Sequence, residues 1–184
     1  CGSTGEAATL DATERVAVVT TVVEAAAGRV PVLAGATDNS TARAVEEARR
    51  LAALGVSGIM SASPYYNKPT QAGLAAHFTA IADAIALPLL LYNVPGRSGV
   101  DLKPETVAEL AQHPRIEGIK EASGSVRRVL DLASVVPESF TIFCGDDDLA
   151  VPAIAAGAQG LISVASNAMP RAFADLVRLA MAGD

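Results

Sequence analysis

Residues 87–121 read LPLLLYNVPGRSGVDLKPETVAELAQHPRIEGIKE. The stretch opens on one short aliphatic run, 87–92, and closes on another, 116–120. Each has the length and apolar continuity of a strand covered on both faces. Between them Pro104 stands where a helix takes its first turn, and 104–112 carries helical periodicity. Strand, helix and strand in that order describe a crossover unit, whose two strands must run parallel. Both strands end on polar side chains, Tyr92-Asn93 and Lys120-Glu121. A polar tip on an otherwise apolar parallel strand is where α/β enzymes place their chemistry.

The same unit repeats along the whole chain. Further aliphatic runs at 30–35, 56–61, 140–145 and 160–164 predict strands, so strand starts recur every 20 to 31 residues. Helices are expected at about 13–27, 41–54, 71–85, 125–136, 147–156 and 170–182. In 41–54, Ala44, Val45, Ala48 and Leu51 make an apolar stripe, while Glu46, Glu47, Arg49 and Arg50 lie on the other side. Gly28, Gly55 and Gly157 follow helix ends. Repeated β-α leaves two architectures, an open doubly wound sheet or a (β/α)₈ barrel. Neither a GxGxxG nor a Walker loop supports a nucleotide-binding open sheet. The polar residues gather at carboxyl strand ends (Tyr92-Asn93, Lys120-Glu121, Gly145-Asp146 and Ser163), which in a barrel share one mouth. We therefore expect a TIM (β/α)₈ barrel, with residues 1–184 as part of a single domain. A helix precedes the first complete strand, so an earlier strand should end near Gly2, with at least one more upstream. Beginning at Cys1 rather than Met, the chain reads as a fragment of a longer one.

Hydrophobic residues make up 51% of the chain and charged residues 18%, which suits a globular protein and excludes a disordered one. Aromatics are sparse at 4%, as in an aliphatic core under helices. With 14 basic against 20 acidic residues and no basic cluster, nucleic acid finds no electrostatic footprint. Apolar runs such as 85–92 are too short to span a bilayer, and no signal peptide is visible. Two cysteines without metal-ligand spacing fit a reducing compartment. A cytoplasmic protein is expected.

Several positions invite chemistry, each against a plainer reading. Lys120 ends an apolar strand, where partial desolvation would lower its pKa toward the nucleophilic neutral form. Alternatively it leaves the sheet for solvent and pairs with Glu121. Tyr92 at a strand tip could relay protons and Arg97 on a Pro-Gly turn could clamp a carboxylate, or the segment is an ordinary turn with Tyr92 capping the core. In Gly2-Ser3-Thr4-Gly5-Glu6, small residues let backbone N–H groups approach an anion, or a hydroxyl caps the next helix. Tyr65 and Tyr66 suit packing at a loop or subunit interface. Asp146, Asp147 and Asp148 cannot all face one ion and have no His or Glu at ligand spacing, so no metal is expected there. N-capping of the helix near Asp147 is the preferred reading. His77 and His113 read as surface or packing residues, and Cys1 and Cys144 as buried thiols.

Taken in order, GSTGEAATL at 2–10, YYNKPTQ at 65–71, YNVPGRSG at 92–99, GIKEASG at 118–124, CGDD at 144–147 and GLISV at 160–164 resemble the dihydrodipicolinate synthase and N-acetylneuraminate lyase family from end to end. The resemblance implies a class I (Schiff-base) aldolase-type lyase in a TIM barrel, usually a homotetramer. Such an enzyme condenses pyruvate with aspartate 4-semialdehyde on the diaminopimelate route to lysine. Carried over by position, Lys120 would form the imine with pyruvate. Tyr92, Thr4 and Tyr66 would relay protons, Tyr66 by reaching into a neighbouring subunit's site. Backbone amides of Ser3 and Thr4 would hold the pyruvate carboxylate, Gly145 and Ile162 would lie against the substrate, and Arg97 would take the semialdehyde carboxylate. The resemblance implies no metal, no separate cofactor, no nucleic acid and no membrane.

Two departures qualify the match. Ser3 stands where the family more often carries Thr. The family's first strand and C-terminal helical region, about 40 and 65 residues beside a ~250-residue barrel and its extension, have no counterpart here. Other readings share the motifs: an N-acetylneuraminate lyase or 2-keto-3-deoxy sugar-acid aldolase using the same Lys120 imine, which Arg97 and Tyr66 disfavour, or an inactive truncated member. Regulated relatives bind lysine at a subunit interface. The matching positions are Ala7, Ala12, Arg15, Asn39, Arg43 and Tyr65, where Ala12 and Arg15 replace histidines and Arg43 a glutamate. Insensitivity to lysine is therefore expected.

Overall fold

The computed structural model describes residues 1–184. Its strands are β1 (Leu33–Gly35), β2 (Gly58–Ala62), β3 (Leu89–Asn93), β4 (Ile116–Glu121), β5 (Thr141–Cys144) and β6 (Gly160–Leu161), all parallel and paired in sequence order. That order belongs to a barrel wall, since a doubly wound sheet reverses at a switch point. Helices α1 (Ala12–Ala26), α2 (Thr41–Ala52), α3 (Gln71–Ala84), α4 (Pro95–Ser98), α5 (Pro104–Leu110), α6 (Val126–Ala133), α7 (Ala150–Ala155) and α8 (Pro170–Ala182) fall between and after the strands. Around the outside α2 packs on α3, α3 on α5, α5 on α6, α6 on α7 and α7 on α8. The chain is thus a run of six consecutive strands of a (β/α)₈ barrel with its helices.

Ile59, Leu89, Leu91, Ile119 and Ile142 on the strands share one core with Leu51, Leu74, Phe78, Ile81, Val107 and Leu132 on the helices, each almost wholly buried. Burying each such side chain contributes about 1.5–3 kcal/mol, and this layer fixes which face of every strand turns outward. The opposite face turns inward and carries Met60, Ala62, Leu90, Tyr92 and Lys120, aligned by the register Met60↔Leu90, Ala62↔Tyr92 and Tyr92↔Lys120. A bulge fixes that last pairing. Leu89 pairs with Ile116 but Leu90 pairs with Gly118, leaving Glu117 exposed and unpaired. Without the extra residue Tyr92 would face Ile119, and Lys120 would lose its partner.

The end strands are shorter than expected. β1 begins only at Leu33, where β2 starts to pair; before it Pro31 has no N–H to give, and Val32 is held by its carbonyl to the Ser57 N–H. β6 stops at Leu161 because β5 offers it only Phe143 and Cys144; Ile162 makes one more bond, to the Cys144 carbonyl at 2.9 Å, before the chain turns. Within 147–156, Asp147–Leu149 is a 3₁₀ turn and the α-helix proper starts at Ala150, which keeps Pro152 in the first turn where no N–H is required. α6 is shorter than 125–136 because the chain must leave the helix ahead of Pro137. At the amino end no strand forms, but the Cys1 carbonyl occupies the space a Cβ on Gly35 would need, so the chain enters along the β1 edge. It turns through Ser3–Thr9, and Asp11, not Ser3 or Thr4, caps α1 in a capping box with Glu14.

Candidate active site

The inward-facing carboxyl ends of β3 and β4 bring Tyr92 and Lys120 together. Lys120 is 8% exposed, and its Nζ lies over the Tyr92 ring, 4.4 Å from the centroid. A cation over an aromatic face is stabilised by the ring quadrupole without receiving a proton acceptor. The alternative of a lysine paired with Glu121 is excluded, because Glu121 turns to the helix side and binds Asn93 and Ser123. Burial holds the Lys120 ammonium below the ordinary lysine range. Asp146 and Asp147 pull it back up, and Arg97 presses it down. The neutral, nucleophilic amine is therefore reached at lower pH than for a free lysine. Burial also raises the Tyr92 phenol, while the Ser3 side chain and Arg97 draw it down. A phenol held protonated can give and retrieve a proton without standing as an anion.

Gly145 follows β5 beside the amine. A Cβ there would sit 2.8 Å from Lys120 Cε and 2.7 Å from Ala122 Cβ, so only glycine leaves the lysine its place. The next two residues carry the charges opposite Lys120. Asp146 Oδ2 accepts from the Gly124 N–H at 3.1 Å, and Asp147 Oδ2 accepts from the Val164 and Ala165 N–H groups at 3.1 and 2.9 Å. The expected N-capping of the helix near Asp147 is thus corrected: Asp146, at the start of the 3₁₀ turn, makes no cap bond, and Asp147 closes the turn after β6 instead. An ionised carboxylate facing two N–H donors on a neighbouring loop gains more there than at the start of a 3₁₀ turn.

Around the Tyr92 phenol opens a cavity of about 290 Å³, lined among others by Gly2, Ser3, Thr37, Ser63, Tyr92 and Arg97. Arg97 projects from α4, exposed, and forms no salt bridge of its own. Pro95 opens this single turn and Gly99, at φ 75°, ends it; the Pro-Gly segment reads as a turn in sequence because four residues show no period. The structure brings Ser3, Tyr92, Arg97, Lys120 and Gly145 into one neighbourhood. Thr4 lies in the exposed 3–9 turn, outside the cavity lining. Tyr66 stands apart, 88% exposed on a left-handed backbone at φ 75°, with its N–H bound to the Ser98 carbonyl. Ile162 is half-buried on the β6 side. Of the histidines, His77 packs between α2 and α3, and His113 pairs with Asp83 at 3.1 Å. Cys144 is buried, whereas Cys1 is half-exposed.

Sequence reasoning missed what lies behind the site. Asn93 is wholly buried, and its Nδ2 donates to Glu121 Oε2 and to Asp101 Oδ1, each at 3.0 Å. Its Oδ1 accepts from the Leu102 N–H at 3.0 Å. Glu121 Oε1 accepts from the Ser123 N–H at 2.7 Å, and Arg128 grips Asp101 through two bonds of 3.0 and 2.7 Å. The one signal available was the polar residue that follows each of Tyr92 and Lys120.

A sequence profile of the Dihydrodipicolinate synthetase family matches residues 1–184. The 4-hydroxy-tetrahydrodipicolinate synthases of Geobacter metallireducens and Koribacter versatilis are each 50% identical over 100% of this chain, which spans 63% and 62% of their lengths. Among solved structures, that of the 4-hydroxy-tetrahydrodipicolinate synthase from Methylacidiphilum fumariolicum SolV superposes with a TM-score of 0.98 at 45% identity, covering 100% of this chain and 61% of that one. The chloride-inhibited dihydrodipicolinate synthase from Acinetobacter baumannii complexed with pyruvate gives 0.97 at 43% identity, over 100% of this chain and 63% of that one. The chain therefore spans less than two thirds of the length of these relatives.

Proposed function

The chain belongs to the dihydrodipicolinate synthetase family, and on that premise we propose that it serves as a Schiff-base lyase condensing pyruvate with aspartate 4-semialdehyde. The observation that carries this reading is Lys120, a desolvated amine held against a buried phenol at the mouth of a barrel. The neutral Lys120 amine attacks the pyruvate keto carbon, and the carbinolamine loses water to give an iminium. The iminium draws electrons from the adjacent methyl, which loses a proton to leave an enamine. The enamine carbon attacks the semialdehyde carbon, and the new alkoxide takes a proton. The product's own amine then attacks the iminium carbon and displaces Lys120, closing the ring and releasing the free enzyme; one water leaves overall. Tyr92, beside the amine, gives and retrieves protons, with Thr4 and Tyr66 completing the relay when Tyr66 enters from a neighbouring subunit. Ser3 and Thr4 amides hold the pyruvate carboxylate, Gly145 and Ile162 flank it, and the unpaired Arg97 suits the second carboxylate. A homotetramer in the cytoplasm is the matching assembly and location.

The test is reductive trapping. The full chain with pyruvate and borohydride should give one adduct, which peptide mapping places on Lys120. Labelling at Lys68 or Lys103 would overturn the assignment. N-acetylmannosamine outperforming aspartate 4-semialdehyde as acceptor would transfer the site to the lyase reading.

A further inference from the structure

We propose that Asn93 and Glu121 are positioning residues for the Lys120–Tyr92 pair, clamping the tips of β3 and β4 so that the amine stays over the ring. The inference rests on the imine reading above. Asn93 and Glu121 directly follow Tyr92 and Lys120 and pair with each other in register, so the two pairs form neighbouring rungs of one ladder. The catalytic rung turns inward; the Asn93–Glu121 rung turns to the helix layer.

Only one arrangement of donors satisfies this second rung. The Asn93 amide group spends both its protons on carboxylates, Glu121 and Asp101, and its oxygen on the Leu102 N–H. Glu121 receives an N–H on each oxygen. Every partner therefore has its complement, as a buried polar network requires. The same amide closes the 94–102 loop at its base, so it also sets where Arg97 starts. Arg128, from α6, anchors the far end by its bidentate grip on Asp101 and a bond to the Leu102 carbonyl at 3.1 Å.

Isosteric changes break this logic without altering volume. In Glu121→Gln an amide meets N–H donors on both sides, so one donor must face another. In Asn93→Asp a third carboxylate lies beside two others. Either change loosens the β3–β4 tips and lets Lys120 swing toward water.

The Tyr92 ring on β3 lies under the Lys120 amine, and the charged or titratable groups that act on it are Asp146 and Asp147 beyond β5, Arg97 on α4 and, from the helix side of β5, Cys144. None belongs to the network. Removing the negative charge of Glu121 could by itself only lower the Lys120 pKa. An upward move in Glu121→Gln therefore reports lost position, not lost charge.

The experiment compares the unaltered full chain with Glu121→Gln and with Asp101→Asn, which keeps an acceptor for Asn93 but gives up the Arg128 ion pair. Folding is checked by circular dichroism, and the rate of borohydride trapping of pyruvate on Lys120 is followed against pH. Glu121→Gln should trap about tenfold more slowly near neutral pH, with its midpoint moved upward and the pyruvate KM changed less than threefold. Asp101→Asn should shift the same way by less. Folded variants with unchanged midpoint and rate would overturn the inference while leaving Lys120 labelling intact. Failure of both variants to fold would also overturn it, by showing the network to be purely structural. Failure of the unaltered chain to label Lys120 would instead remove the imine reading itself.

Discussion

Gly145 shows how little room the site leaves at the level of single atoms. An added methyl would lie 2.8 Å from Lys120 Cε, 2.7 Å from Ala122 Cβ and 3.2 Å from the Glu121 carbonyl oxygen. The lysine can swing aside, but a Cβ and a backbone carbonyl cannot. Gly145→Ala should therefore displace Lys120 and strain β4 by about 1–3 kcal/mol, the usual cost of overpacking. Pyruvate trapping should fall at least about tenfold and the melting temperature should drop; trapping at the unaltered rate would show that the strands yield instead. The residues proposed to react were visible in the sequence because of where they stand on apolar strands: Tyr92 and Lys120 near the ends, and Arg97 just beyond. Their supports were not. Asn93 meets Asp101 across a loop and Arg128 reaches Asp101 from another helix, pairings that no local pattern encodes. The aspartate run at 146–148 was misread as a helix cap for the same reason, since a carboxylate near a helix start has the same sequence whether it caps that helix or closes a distant loop.

At the level of elements, the packing of α2 on α3 contains a group that titrates against folding. His77 is 3% exposed, edge-on to Phe78 at 5.3 Å, with Nδ1 2.9 Å from Thr41 Oγ1 and Nε2 without a partner. Burial pushes its pKa down to about 4, with Asp38 pulling weakly upward. The unfolded chain takes up this proton near pH 6.5, before the folded chain does. The stability that neutral His77 contributes is complete above that pH and is lost as pH falls through the window toward 4, by about 3 kcal/mol in all. His77→Leu cannot bind that proton. Urea unfolding of both proteins should therefore show the gap between them changing in favour of the variant from pH 6.5 to 4.5; parallel curves would rule the coupling out. Sequence periodicity had located these two helices to within a turn, because both bury one apolar face. It overran β1, β6 and α6, where Pro31, the short β5 edge and Pro137 end the pairing or the turn earlier than hydrophobicity does.

On the scale of the whole molecule, the barrel was legible because polar strand ends must share a mouth, whereas the Glu117 bulge that aligns that mouth leaves no mark in an apolar run. Control by lysine belongs to the same scale, since the resemblance implies a lysine site between subunits in regulated relatives. At the matching positions here Arg15 donates to the Leu10 carbonyl and lies 3.6 Å from Glu47, while Tyr65 is 40% exposed beside the loop. The acid that could receive an ammonium group is Asp38, which lines the cavity with Arg15 and Tyr65. Burial would raise its carboxyl, but Arg43, the Ser40 N–H and Arg15 together hold it below the usual range; Arg43 bonds both oxygens through Nε at 3.0 Å and pairs again through Nη2 at 2.8 Å. Arg43 also holds the Asn39 side-chain oxygen at 3.1 Å. A lysine side chain would have to displace a guanidinium from its only carboxylate and remain beside two like charges, which disfavours binding outright. The full chain, assayed with saturating pyruvate and titrated with lysine, should keep its activity through millimolar concentrations. Half-inhibition below about 1 mM, roughly −4 kcal/mol of binding, would mean that Arg43 releases Asp38 to the ligand. Arg43→Glu should then bind lysine more tightly still, and the arginine would be a gate on the site instead of its occupant.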